Sequence, residues 1–315
     1  MLDVISITCD PTAFRAAGPF TLNSFMDAVV YKTMTERTHN PMLWSTLAIA
    51  LLVAVTAVAG LFWPATYARE TLYSRTGGYA SDIVDLFLVV PVLLISGIKG
   101  YRGSFPARLV WLGTQGYLLY NLVIYAFGVH FNALFLVYVA TLSLCLFATI
   151  FSLPFIPLDQ IAQVYGPRAL RKTIAIVFLV LAVQTAAFDV RADMAAIMAG
   201  RVPQDVVDAN MPVNFVHVLD LAFLLPALCV TAILLFRRKA SGFALAPVFL
   251  TLLAIMSMEL VSILTVMGRA GFGMSYPMII FFVLLGVGFT VLLWFNLSVA
   301  RREAWARLPS AGKST

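Results

Sequence analysis

The sequence predicts an all-α polytopic membrane protein with eight transmembrane helices. Of its 315 residues, 61% are hydrophobic and only 11% are charged, whereas a soluble globular domain is roughly 25% charged. The apolar runs are long and do not alternate with period two, which excludes a transmembrane β-barrel. The same composition excludes an ordinary cytosolic enzyme, a disordered chain and a disulfide-rich secreted scaffold.

The individual helices follow from length, because a bilayer core needs about 20 apolar residues per helix. Two groups of four segments are separated by a proline-containing stretch, which is typical of a boundary. The eight predicted spans are residues 43–63, 82–98, 107–127, 131–153, 172–190, 215–236, 243–267 and 277–298. The predicted organisation is an N-terminal segment 1–42, a first membrane half 43–153, a linker 154–171, a second membrane half 172–298 and a tail 299–315.

Residues 1–33 differ in character from the rest of the chain. Met34 stands just before the first span, in the sequence Met-Thr-Glu-Arg-Thr. One hypothesis is therefore that translation starts at Met34 and that residues 1–33 are not translated.

The basic residues predict the orientation of the helices. With the N-terminus inside, sixteen of the 21 lysine and arginine residues fall on the inner side. This bias follows the positive-inside rule, so both termini are predicted to be cytoplasmic, in a bacterial plasma membrane. The five basic residues on the predicted outer side are Arg69, Arg75, Arg191, Arg201 and Arg269.

The two halves share a short pattern at an offset of 135 residues. Asp85 followed by Pro91 recurs as Asp220 followed by Pro226, in the second span of each half. Four spans per half give both halves the same orientation, so the pattern predicts a parallel repeat. Prolines interrupt helices, and paired interruptions often mark a transporter's binding site, so Pro91 and Pro226 are predicted hinges. Single prolines also occur in membrane helices that transport nothing.

Ionisable groups inside spans are candidates for function because burying them in lipid is costly. Asp85, Asp220 and Glu259 are such groups, and Asn121 falls in the same outer half of the chain. They predict a polar, outward-facing cavity in which the three acids bind a cation or a proton.

The offset also pairs Asp82-x-x-Asp85 with His217-x-x-Asp220. Residues three apart share a helix face, so these four side chains could surround one divalent cation. The alternative is helix capping, in which Asp82 and Asn214 lie at helix N-termini. Asp85 and His217 then lie in or next to the first turns, where acids are favoured. The identity of any metal stays open, and no resident cofactor is predicted.

The remaining aromatic and sequence motifs favour structural roles. Tyr117, Tyr120 and Tyr125 are interpreted as packing residues and interfacial anchors. The sequence contains no Walker, HExxH or GxSxG motif, so an enzyme is not favoured, and no basic run is long enough to indicate nucleic-acid binding.

The leading functional hypothesis is a transporter or a solute- or ion-binding protein with an outward-facing acidic cavity. The alternative is a non-catalytic membrane sensor or assembly partner that binds another protein through outer loops 64–81 and 191–214. A third, weaker hypothesis is a metal-dependent enzyme that modifies lipids.

Overall fold

The computed structural model describes residues 22–156, 158 and 168–306. The chain divides into two units, Met1–Pro41 and Met42–Thr315, and the helix packing and the candidate site belong to the second. The predictions for residues 1–21, most of the linker 154–171 and residues 307–315 lie outside the described residues.

Helices make up nearly all of the described chain, and no strand occurs in it. Two helices continue through a single π-helical turn, at Asp85–Val89 and at Asp220–Leu224, and we call these the two π-helical turns. A third π-helical segment, Gly268–Phe272, follows the helix that ends at Met267. The helices are α1 (Leu22–Phe62), α2 (Leu72–Val84), α3 (Val90–Tyr101), α4 (Phe105–Gly128), α5 (Phe135–Ser152), α6 (Arg168–Met198), α7 (Gln204–Ala209), α8 (Phe215–Leu219), α9 (Leu225–Phe236), α10 (Ala240–Met267) and α11 (Tyr276–Ala306).

Seven of these helical segments are long and apolar enough to cross a membrane. Their outward surfaces carry large apolar side chains, among them Phe87 and Phe188, which are 72% and 69% exposed. A protein in water does not leave so much apolar surface uncovered, so the chain is an all-α integral membrane protein. The seven segments are Pro41–Phe62, Leu72–Tyr101, Phe135–Ser152, Leu170–Met198, Phe215–Phe236, Ala240–Phe272 and Tyr276–Ser298.

Helix α4 corresponds to the predicted span 107–127 but is not among those seven. It has 24 residues, enough for about 36 Å of helix at 1.5 Å per residue. Polar side chains such as Gln115 and Asn121, both buried, lower its overall hydropathy. Its neighbours α3, α5 and α10 pack around it, so α4 needs less apolar surface than a helix that faces lipid.

The predicted start of the second span, at residue 82, is wrong by ten residues. The helix begins at Leu72, and the Thr71 side chain caps it by accepting a hydrogen bond from the Ser74 N–H. Residues 72–81 are poor in apolar side chains, but Thr76, Ala80 and Ser81 are buried against other helices. A sequence average does not distinguish polar residues that face the bundle from polar residues that face water.

The packing follows the same order in each half of the chain. Helix α4 packs on α3 and α5 in the first half, and α10 packs on α9 and α11 in the second. Helices α4 and α10 also pack on each other, and Gly113 lets them approach closely, because a side chain there would overlap Thr251 and the Val248 carbonyl.

One end of the bundle carries loops 63–71, 129–134 and 199–214, and we call it the long-loop end. Hydrogen bonds join these loops to one another: Arg69 donates to the Phe131 carbonyl at 2.9 Å, and Asn132 donates to the Thr66 carbonyl at 3.0 Å. The Ser74 hydroxyl donates to the Ala209 carbonyl at 3.0 Å. The loops therefore form one connected layer over the helix ends.

Candidate ligand-binding site

Four buried acidic side chains lie in the half of the bundle nearest the long-loop end. They are Asp82, Asp85, Asp220 and Glu259, each between 1% and 8% exposed. None of the four has a lysine or arginine partner among the described residues. Hydroxyl and amide groups surround them instead.

Asp82 lies inside α2, ten residues beyond Leu72, or about 15 Å along the helix. The Tyr67 hydroxyl donates to its Oδ2 at 2.7 Å, and the Tyr125 hydroxyl donates to its Oδ1 at 3.0 Å. Gly60 of α1 packs directly on this carboxyl group. Asp82 does not cap a helix, so the capping interpretation is wrong for α2.

Tyr67 belongs to a short 3₁₀ turn, Pro64–Tyr67, in the loop that precedes α2. Burial, followed by the nearby Asp82 carboxyl group, raises the pKa of Tyr67 well above its ordinary value of 10.0. The phenol therefore keeps its proton at neutral pH and can donate a hydrogen bond to Asp82.

Asp85 begins the π-helical turn and is hydrogen-bonded through both carboxyl oxygens. Tyr117 donates to its Oδ1 at 3.2 Å, and the Asn121 side chain donates to its Oδ2 at 3.1 Å. Both donors lie on α4, one helical turn apart. Two donors on two oxygens fix the Asp85 carboxyl group between α2 and α4.

Glu259 lies in α10, eight residues before the helix ends at Met267. The Ser81 hydroxyl donates to its Oε1 at 2.7 Å, and Ser262 of the same helix donates to the Ala80 carbonyl at 2.8 Å. These bonds join α2 to α10 where the two helices cross. Glu259 therefore lies mid-helix, as the sequence predicts.

Asp220 begins the second π-helical turn and has one hydrogen-bond donor in the described structure. The Tyr120 hydroxyl donates to its Oδ1 at 3.0 Å, and no described group donates to its Oδ2. Tyr120 lies on α4, between Tyr117 and Asn121 in sequence but turned toward the second half of the chain. Helix α4 therefore supplies the hydrogen-bond donors for both Asp85 and Asp220.

The two π-helical turns have the same backbone pattern. The Val90 N–H bonds to the Asp85 carbonyl, and the Leu225 N–H bonds to the Asp220 carbonyl. Pro91 and Pro226 follow as the second residue of the next helix. Proline lacks an N–H and its ring clashes with the carbonyl four residues earlier, and a wider turn relieves that clash without ending the helix.

A cavity of about 390 Å³ opens between α2, α4, α8 and α10 at this level. Asp220, Glu259 and Asn121 line it, so it brings together three of the six predicted site residues. Asp82 and Asp85 lie behind this lining, bonded to Tyr125 and Asn121, which do face the cavity. The long-loop end covers it with Glu70, Asp205 and Asn214.

His217 lies outside the cavity lining, although it is close enough to Asp220 for the two side chains to interact electrostatically. Its Nδ1 lies 3.0 Å from Asp193, and its Nε2 lies 3.7 Å from Asp189, both on α6. Within the described residues, no group of three or more His, Cys, Asp or Glu side chains is arranged to hold a metal ion. Asn214, in contrast, caps α8 by accepting from the Val216 and His217 N–H groups, so capping holds for the second half.

The interpretation of the α4 tyrosines as packing residues and anchors is incomplete. Tyr117, Tyr120 and Tyr125 each donate a hydrogen bond to a buried carboxyl group. Their spacing, together with Asn121, places all four within two and a half helical turns. Hydroxyl and amide groups at such short intervals in an otherwise apolar span are the sequence signal that could have predicted this role.

Compared with protein-family models, with curated proteins and with solved structures, the chain matches none of them.

Proposed function

We propose that this protein is a transporter or solute-binding protein of the membrane, with its site in the 390 Å³ cavity. The observation that carries the proposal is that two carboxyl groups, on Asp220 and Glu259, lie in helices long and apolar enough to cross a membrane and line a cavity without a lysine or arginine partner in the described structure. Burying such groups is costly, and intramembrane acids mark substrate and ion pathways. A purely structural pair would be expected to have its charge compensated.

The cavity also connects to the deeper acids through its lining. Asn121 bonds to Asp85, Tyr125 bonds to Asp82 and Ser81 bonds to Glu259. A solute that moves any of these three side chains alters the hydrogen bonding of an acid behind or beside it. This coupling between the cavity and the helix α2 is what a transporter needs to respond to its substrate.

In the same proposal, α4 is an eighth transmembrane helix and both termini are cytoplasmic. Support for the first comes from the 24-residue length of α4 and from the helices packed around it. Support for the second comes from the distribution of the basic residues, most of which then lie on the cytoplasmic side. The long-loop end then faces outward, and so does the cavity beneath it.

The proposal also includes an internal duplication with hinges at Pro91 and Pro226. Support comes from the two π-helical turns, which begin at the two aspartates matched by the 135-residue offset. The equal packing order within each half points the same way. Two halves of one orientation could rock about these turns to open the cavity alternately to either side.

A thermal-shift screen tests the site. Purified protein is heated with monovalent ions, divalent ions and small solutes, over a range of pH, as wild type and as Asp85→Asn/Asp220→Asn. A ligand at 100 times its Kd stabilises the folded state by about 2.7 kcal/mol. We expect at least one stabilising ligand, with its effect lost in the double variant and kept in the exposed control Asp208→Asn. If nothing stabilises the wild type, or if the double variant responds equally, the proposal is wrong.

Cysteine labelling tests the topology. Single cysteines replace Arg102, Phe131, Arg201 or Lys239, all exposed, in a chain whose native cysteines are changed to alanine. An impermeant maleimide should label positions 131 and 201 in intact cells, and positions 102 and 239 only after permeabilisation. Labelling of 102 and 131 from the same side would show that α4 does not cross the membrane.

A second candidate function is a non-catalytic sensor or assembly partner. The end of α6 carries exposed apolar side chains near the long-loop end, with Ile197 68% and Met198 82% exposed. Such residues favour a protein contact over free solvent. A stoichiometric partner that co-purifies in gentle detergent, and is lost in Ile197→Ser/Met198→Ser, would favour this function.

A further inference from the structure

We propose that the cavity binds an organic cation with an apolar or aromatic body, with its ammonium group at Asp220 and Glu259. This inference rests on the proposed function and names the chemical class of the solute. It follows from the charge of the lining residues, from the Asp220 oxygen that has no described hydrogen-bond donor, from the aromatic and aliphatic side chains of the cavity and from the cavity volume.

All the charged side chains in the lining of the cavity are acidic. Its described residues include four acids, Glu70, Asp205, Asp220 and Glu259, and no lysine, arginine or histidine. An anionic solute would be repelled by these acids. A cation is attracted, and more strongly than in water, because the low dielectric inside a protein weakens screening.

The acids of the lining differ in whether their carboxyl groups already have hydrogen-bond donors. Asp205 accepts from Asn214 at 2.6 Å and Glu70 accepts from the His130 N–H at 2.7 Å, so both have partners in the covering loops. Asp220 is only 8% exposed, yet its Oδ2 accepts from no described group. Because Asp220 lines the cavity, an ammonium N–H of a bound solute can donate to this oxygen.

Tyr120 places the two central acids in relation to each other. Its hydroxyl bonds to Asp220, and it lies close enough to Glu259 for the two side chains to interact electrostatically. Ser81 donates to Oε1 of Glu259, and Tyr117 is a second hydrogen-bond partner of the same carboxyl group. A cationic group beside Tyr120 therefore has access to both carboxyl groups.

The walls favour an organic cation over a metal ion. Aromatic rings line the cavity, and cations are attracted to the faces of such rings. Mg²⁺ and Ca²⁺ need about six or more oxygen ligands at short distance, whereas the described acids form no group of three or more that could hold a metal. The aromatic side chains are Tyr67, Tyr73, Tyr120, Tyr125 and Phe215, and the aliphatic ones include Ile124, Leu260 and Ile263.

The volume suits a small organic molecule. The space measures about 390 Å³, within the roughly 300–1,000 Å³ of small-molecule pockets. At about 30 Å³ for each water-sized group, it holds about a dozen such groups. One aromatic ring with a short alkylammonium chain is of this size.

The experiment uses three probes of similar shape and different charge. They are phenethylammonium, the neutral 2-phenylethanol and the anionic 3-phenylpropionate, with Na⁺ and Mg²⁺ as inorganic cations. Binding to the full-length protein in detergent is measured by titration calorimetry and thermal shift. We expect phenethylammonium to bind at least tenfold more tightly than either isostere, and neither inorganic cation to compete with it at equal concentration.

The variants locate the ammonium group. Asp220→Asn and Glu259→Gln should each weaken phenethylammonium binding at least tenfold, while Asp208→Asn, which lies outside the cavity lining, should leave it unchanged. Two separate acid variants keep the test valid if one of them does not fold.

The outcomes separate this inference from the proposed function. Equal or tighter binding of the neutral or anionic isostere, abolished by Asp220→Asn, would overturn the organic cation and leave a solute-binding cavity. Tight Mg²⁺ binding with no amine binding would do the same in favour of a metal ion. No binding of any organic probe would overturn the inference, and the thermal-shift screen then decides the proposed function separately. Amine binding that both acid variants retain would place the ammonium group elsewhere and also overturn it.

Discussion

The two π-helical turns have the same backbone but different surroundings. The turn at Asp85 is enclosed, because Tyr117 and Asn121 bond to both carboxyl oxygens and neighbouring Asp82 packs against Gly60. The turn at Asp220 has one donor, Tyr120, and borders the cavity. The comparison teaches that the backbone of each turn follows the local sequence, in which a proline comes six residues after an aspartate. The hydrogen bonding of each aspartate, in contrast, depends on which face of α4 it contacts.

Replacing Asp85 or Asp220 by alanine should give the largest difference between the turns, measured as the loss in the free energy of unfolding. Asp85→Ala removes an acceptor from both the Tyr117 hydroxyl and the Asn121 amide in an enclosed part of the bundle, and each such loss costs about 1–3 kcal/mol. We expect a loss of about 2–4 kcal/mol in the free energy of unfolding. Asp220→Ala should cost about 1 kcal/mol, because only Tyr120 loses its partner and the cavity can admit water. Unfolding in mixed detergent micelles measures both, and equal losses would mean that the turns are equally enclosed.

The next largest effect is expected from crowding the Asp82 carboxyl group, which lies beside the first π-helical turn. Gly60→Ala would place a methyl group against the Asp82 carboxyl group, and overpacking costs about 1–3 kcal/mol. The matched control is Gly288→Ala in α11, where an added Cβ meets nothing within 4 Å, so it should gain up to about 1 kcal/mol from helix propensity. Thermal midpoints of the two variants against wild type give the comparison. A neutral Gly60→Ala would show that the first turn has room to adjust.

Removing the hydroxyl group of Tyr117 or of Tyr120 should show how the two turns differ in ligand binding. Tyr117→Phe and Tyr120→Phe should each cost about 0.5–1.5 kcal/mol of stability, as typical hydrogen bonds do. Tyr120→Phe should weaken binding of phenethylammonium more than Tyr117→Phe does, because Tyr120 lines the cavity, whereas Tyr117 lies behind the lining as a partner of Asp85 and Glu259. Titration calorimetry on both variants checks this, and an equal effect on binding would connect Asp85 directly to the site.

The smallest effect is expected at His217, which occupies the position that Asp82 has in the first half. Its bond to Asp193 is partly exposed, and such pairs contribute about 0–1 kcal/mol. We expect His217→Asn to lower stability by less than about 1 kcal/mol, and 1 M NaCl should reduce that difference because salt screens exposed charges. A larger loss, unaffected by salt, would give His217 a structural role comparable to that of Asp82.

Much of the site could be predicted from the sequence. Charged groups in long apolar runs are rare and conspicuous, so Asp85, Asp220, Glu259 and Asn121 were identifiable without a structure. The partners were not, because Tyr67, Ser81 and Tyr125 are common residues that acquire a role only when another helix brings a carboxyl group to them. The pairing of His217 with Asp82 failed for a related reason, since a sequence offset carries no information about which neighbour a side chain faces.

The sequence by itself determined the class of protein and the approximate extent of most of its helices. Lipid imposes that outcome, because backbone groups must be hydrogen-bonded within each segment and outward side chains must be apolar. The tertiary structure alone decided where α2 begins, why α4 can be more polar than its neighbours, and which acid faces the cavity. Each of these depends on what lies across a helix interface, and hydropathy along one chain averages the two sides of that interface together.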